Sequence, residues 1–253
     1  MEIILNERKK AEEYLNTKIV DNVIQCTSIL IRYYYSPITT DAEIYAIIDD
    51  FLKQSFIGYK SENWKSFIEY QIKNLKNRKL VEIDYIIITK REIETIKTLE
   101  NNRLERLAFT LLAVAKYYNY INPNNNNWTN KDFKTIFSLA NVPVTKEKQC
   151  TMINGLKNKG FITMSKKIDN LNLNVQFINN DSPIVFKIDD MRNLGNQYRM
   201  LSGDKKYKKC KKCGKVVKFK TNQKYCRNCA IDVKHKNQSR WIKEKRNSNR
   251  HIK

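Results

Sequence analysis

The chain has 253 residues, 41% of them hydrophobic, and carries 48 Lys and Arg against 26 Asp and Glu, a net charge of +22. That apolar content suits real hydrophobic cores and excludes a disordered chain. No run approaches the roughly eighteen consecutive apolar residues that cross a bilayer. The charge is uneven: residues 205–253 hold nineteen Lys and Arg against only Asp232 and Glu244, a net of +17, so the first 204 residues are nearly balanced. The opening Met-Glu-Ile-Ile-Leu-Asn-Glu-Arg-Lys-Lys lacks a basic region leading into an apolar core, so a cytoplasmic setting is expected.

Residues 1–100 read as mainly helical. Thr40 with Glu43 forms a capping box, opening a helix whose expected buried stripe is Ile44, Ile47, Ile48 and Phe51. Trp64, Phe67, Ile68, Ile72 and Leu75 repeat at the same helical period. Val81, Ile83 and Tyr85 alternate with acidic residues and run into Ile86-Ile87-Ile88, which predicts a strand. Thr89 and Glu92 cap the next helix. Cys26 and Cys150 stand alone in apolar helical patterns, as buried small hydrophobes do. This third carries no chemistry and reads as an interaction or dimerisation domain.

Residues 101–202 follow a clearer order. Leu104, Leu107, Ala108, Leu111, Ala115 and Tyr118 mark a long helix, broken by the asparagine run around Pro123. A helix with Phe133, Ile136, Phe137 and Leu139 inward ends at Asn141-Val-Pro143. Thr145 caps a third helix, through Met152, Ile153 and Leu156 to Gly160. Two strands are expected over 161–168 and 173–178, then an apolar run over 184–188 and a short helix from Asp189 through Tyr198. Three helices and a hairpin are the order of a winged helix-turn-helix, whose third helix enters the major groove. Lys148, Thr151, Asn154 and Asn158 fall on the outer face of that helix, and Lys166 and Lys167 near the wing tip. These are the candidate nucleic-acid contacts of this part.

Residues 203–253 contain two C-x-x-C knuckles, Cys210–Cys213 and Cys226–Cys229, twelve residues apart. Two such hooks place four thiolates around one structural Zn²⁺. Without a secretory signal, metal is the better reading of such pairs than disulfides. Gly214 suits the tight turn after the first knuckle, and the short β-prone insert suits the hairpin of a zinc ribbon. Lys211, Lys212, Lys215, Lys218 and Lys220 surround the site and complete the candidate phosphate contacts.

The run Leu107-Ala-Phe-Thr-Leu-Leu-Ala-Val-Ala-Lys116, the Leu139-Ala-Asn-Val142 turn and the Leu194-Gly195 helix ahead of the knuckles resemble a set of winged-helix plus zinc-ribbon proteins. Those proteins come from bacteriophages and mobile elements of low-GC Gram-positive bacteria. The similarity spans about residues 80–230 and implies an architecture and a mobile-element setting, with no catalytic residues to carry over.

Enzymatic sites are scarce in the sequence. None of the six glycines falls in a P-loop or Rossmann pattern, and the two histidines, His235 and His251, both lie in the basic tail. Asp49-Asp50 and Asp189-Asp190 are the remaining candidates for Mg²⁺. The expectation is a mainly α protein with small β elements: a helical N-terminal domain, a winged helix, and a zinc ribbon with a basic tail. Its expected partner is nucleic acid, DNA favoured over RNA, without catalysis and without a membrane. The alternatives are docking on host machinery such as RNA polymerase, and RNA binding through Tyr207, Phe219 and Tyr225 as stacking aromatics.

Overall fold

The computed structural model describes residues 2–165, 172–220 and 222–248, the side chains of 243–248 excepted. Among the described residues the chain is mainly helical with three small two-stranded sheets, and it divides into two compact units, Met1–Ile86 and Ile87–Lys253. Residues 87–100, grouped by sequence with the N-terminal helices, therefore belong to the second unit.

The first unit packs α1 (Glu7–Thr17), α2 (Val23–Tyr34), α3 (Asp41–Ser55) and α4 (Ser61–Leu75) around one core. Ile29, Leu30, Ile31, Ile44, Ile48, Leu52 and Ile68 are its buried centre. The Thr40–Glu43 capping box forms as predicted. Ile47 departs from the predicted stripe: it is 37% exposed, whereas Leu52, one turn beyond Ile48, is buried. Glu7 and Arg32 form a part-buried bidentate pair at 2.6 and 2.7 Å, and Glu7 also accepts the Val81 N–H. The alternating stretch before Ile86 makes only one bridge, between Asn6 and Glu82.

In the second unit, β1 (Ile86–Thr89) pairs with β4 (Ile184–Ile188) across nearly a hundred residues. The helix α5 (Lys90–Lys97) follows β1 directly and packs on α6 (Asn102–Ile121). From Leu107 to Tyr117 every residue of α6 is buried, so this helix forms the middle of the core rather than a one-sided surface helix. Asparagines in the left-handed region, Asn126 and Asn127, turn the chain after it. Then come α7 (Phe133–Leu139), α8 (Lys146–Asn158), and the antiparallel pair β2 (Ile162–Met164) and β3 (Leu173–Val175), in register Ile162↔Val175. Trp128 bridges to Asn174 at the outer side of β3.

The predicted helix from Asp189 is corrected. Asp190 instead turns the chain by accepting the Arg192 backbone N–H at 2.8 Å, and α9 (Leu194–Leu201) begins only after Asn193. Gly195 sits where α9 meets the turn after α7: a Cβ there would lie 1.8 Å from the Ala140 carbonyl oxygen. Tyr198, fully buried, stacks at a tilt on Phe109 with ring centroids 5.4 Å apart. Beyond α9, β5 (Tyr207–Lys209) and β6 (Val216–Lys218) pair antiparallel, and α10 (Arg227–Ser248) ends the described chain. Among the described residues no helix is long and apolar enough to cross a membrane.

Candidate functional site

The four knuckle cysteines converge. One sulfur from each of Cys210, Cys213, Cys226 and Cys229 lies within 4.8 Å of all the others. Cys213 Sγ and Cys226 Sγ are 3.8 Å apart. Four sulfurs at about 2.3 Å from a central ion stand about 3.8 Å from each other in a tetrahedron, so the donor set fits a metal of that size.

Local backbone explains the convergence. Cys210 follows β5, and its N–H donates to the Lys215 carbonyl at 3.0 Å, closing the hairpin over the first knuckle. Gly214 donates back to Cys210 O at 3.0 Å and adopts φ 71°, a conformation that costs glycine little. Of the second knuckle, Cys226 immediately precedes α10 and Cys229 lies in its first turn. Cys226 donates its N–H to Cys210 Sγ at 3.2 Å, so the two knuckles are hydrogen-bonded as well as adjacent.

The electrostatics of the four thiols suit a cation. Burial opposes ionisation of Cys210 most strongly, yet N–H groups of Cys226, Cys213 and Lys212 aimed at its sulfur bring its pKa down to about 6. Cys213 and Cys229 are pushed up, first by burial; at Cys229 the neighbouring sulfurs add to it. A second thiolate beside the first is disfavoured until a divalent ion neutralises both.

The site is tied to the rest of its unit by polar contacts. Arg192 grips Asp190 through two nitrogens and donates to Cys213 O at 2.8 Å. Asn193 and Asn196 both donate to Val216 O, at 3.1 and 3.2 Å, and Val216, the first residue of β6, is buried. Asp189 pairs with Lys209 at 2.7 Å. Asp189-Asp190 is thus engaged in ion pairs, as is Asp49 with Lys53 and the Tyr59 hydroxyl at 2.7 Å each.

The other predicted contacts are distributed along the same unit. Lys148, Thr151, Asn154 and Asn158 are all exposed on α8, while Met152, Ile153 and Leu156 are buried beneath them. The Thr151 hydroxyl donates to Glu147 O at 3.0 Å, leaving its oxygen as an acceptor. Cys150, expected to be buried, is exposed on this helix; Cys26 is fully buried, and burial lifts its thiol to about 12. Lys166 and Lys167 lie outside the described residues. Lys211, Lys218 and Lys220 are exposed, Lys215 is half-buried, and Lys212 is held by Asp232 at 3.0 Å.

Sequence reasoning gave no sign of Arg103, at the start of α6, which shares a groove of about 360 Å³ with Lys148, Thr151 and Gly155. Tyr207 is half-buried with the Arg199 guanidinium 5.3 Å over its ring, which weakens its case as a stacking platform. Comparison of the chain with known protein families, curated proteins and solved structures gives no match.

Proposed function

We propose that this protein is a zinc-stabilised, non-catalytic DNA-binding protein of a phage or mobile element, acting in transcription control or replication. The observation that carries this reading is the coincidence of a built four-sulfur site with the densest positive charge of the chain. Zn²⁺ held by Cys210, Cys213, Cys226 and Cys229 would fix β5, β6 and the start of α10 as a scaffold for exposed lysines. Each phosphate they neutralise releases condensed counterions, which supplies sequence-independent affinity.

The order α6, α7, α8 and the β2–β3 hairpin supports reading this part as a winged helix, with α8 as the helix presented to bases. Its outer face offers Asn154, which suits a bidentate contact to adenine, with Lys148 beside it for the backbone. The test is duplex binding measured between about 50 and 200 mM salt, where affinity should fall steeply. Asn154→Ala should weaken a selected site by about 1–3 kcal/mol and leave random duplex nearly unaffected. Absence of binding at about 50 mM salt would favour docking on a host protein instead.

A further inference from the structure

The basic tail was left without structure by the sequence, and it forms the longest helix among the described residues. At 22 residues α10 runs about 33 Å, beginning inside the four-cysteine site. Cys229, in its first turn, is buried, and Asp232 is tied to Lys212 at 3.0 Å. From Lys234 to Ile242 every side chain is exposed. The stretch 233–243 contains Lys234, Lys236, Arg240 and Lys243 and no carboxylate.

A helix so exposed draws little of its stability from packing an apolar face. Most helical stability in proteins comes from packing an apolar face, and short unsupported helices are marginal in water. Lys236 and Arg240 stand four apart, where like charges repel. What would stabilise the exposed part is a polyanion along one side. At 100° per residue, Lys236, Asn237 and Arg240 fall within one arc of about 100°.

We infer that α10 lies in the major groove of a B-form DNA duplex, with Lys236 and Arg240 on phosphates and Asn237 towards base edges. The inference rests on the nucleic-acid reading above and adds the element that enters the groove and the form of duplex it fits. A helix about 10–12 Å across matches a B-form major groove about 12 Å wide. The major groove of A-form RNA is too narrow for it. Ile231 and Ile242 are exposed on another side of the helix with His235 and Gln238 between them, and the exposed Trp241 stands about 100° from Ile242. That interrupted row lacks the continuous apolar stripe needed by a bilayer-surface helix or by a coiled coil with a second copy.

The test uses the full-length, metal-loaded protein with a 20-base-pair random DNA duplex, the matching RNA duplex, and phosphatidylserine-containing vesicles. Lys236→Ala and Arg240→Ala should each lower the salt slope of DNA binding by about 0.9, and together reduce affinity roughly tenfold or more at 0.1 M salt. Lys234→Ala, off the arc, should change the slope by less than half as much. Equal metal content in all variants shows that the module is intact. If the wild type binds DNA but Lys236→Ala and Arg240→Ala match Lys234→Ala, the α10 assignment falls while the nucleic-acid reading stands. If RNA duplex binds as tightly as DNA, or vesicle binding alone depends on Lys236 and Arg240, the groove assignment is overturned. If the wild type binds neither duplex, both readings fail together.

Discussion

Lys116 Nζ lies 2.7 Å from Glu92 Oε1, and neither side chain is more than 6% exposed. The pair is fully engaged: Lys116 also donates to Ile87 O at 2.9 Å, and Glu92 accepts the Thr89 and Asn179 N–H groups at 2.8 and 2.9 Å. One ion pair thereby joins β1, α5, α6 and the segment before β4. Removing one partner leaves the other charge buried and uncompensated, so Lys116→Ala should cost about 3–5 kcal/mol in denaturant unfolding. The double variant Lys116→Met/Glu92→Gln should recover part of that loss, because no full charge remains buried. A loss below about 1 kcal/mol in the single variant would mean that water reaches the site.

Gly195 and Gly155 should respond to alanine in opposite directions. A Cβ at Gly195 overlaps the Ala140 backbone, which has no flexible end to yield, so Gly195→Ala should destabilise by about 1–3 kcal/mol or more. At Gly155, inside α8, nothing lies within 4 Å of the added atom. Gly155→Ala should therefore stabilise by about 0.5–1 kcal/mol through helix propensity. Thermal unfolding of the two variants side by side reads both signs.

Metal removal should act locally. Purified protein should contain about one Zn²⁺ per chain, and chelation or the double change Cys210→Ser/Cys226→Ser should release it. Hydrogen exchange should then rise across β5, β6 and α10 while α6 stays protected. Unchanged protection of β5 and β6 in metal-free protein would show that the hydrogen bonds to Val216 suffice to hold the hairpin.

The stability of the first unit should depend on acid pH through Asp49. Burial acts to raise its pKa, but hydrogen bonds from Lys53, Tyr59 and Ser61 outweigh that and hold it below the usual carboxylate range. A depressed folded-state pKa contributes stability that is complete above the unfolded value of about 4 and is lost as pH falls through the folded value. Asp49→Asn should cost about 1–2 kcal/mol at pH 7 and progressively less below about pH 4. An equal cost at pH 7 and pH 2 would assign the effect to packing alone.

Local signals in the sequence located most helices and the four-sulfur site, because caps, apolar periodicity and C-x-x-C spacing act over a few residues. Thr40 with Glu43, Asp132 before α7 and Thr145 before α8 all accept backbone N–H groups where caps are needed. What stayed illegible was set by distant partners. Nothing near β1 announces β4 as its partner strand, and nothing near Lys116 announces Glu92 as its counter-ion. The helix at α10 was hidden for a related reason: its side chains carry no apolar stripe, so periodicity had nothing to report. Asp189-Asp190 resembled a helix start, but Arg192 claims Asp190 and shifts the start of α9 to Leu194.

The contact between Gly195 and Ala140 also fixes a phase. α9 meets the turn before α8 with no space for a side chain and meets Val216 of the hairpin through Asn193 and Asn196, so it touches both the approach to α8 and the four-cysteine module. A duplex touching both would have to present them at a set rotation about its axis. Inserting about five base pairs between the two halves of a selected site turns one half to the far side, whereas about ten restores the alignment. On the DNA-binding reading proposed above, a single glycine would set the spacing of the selected site.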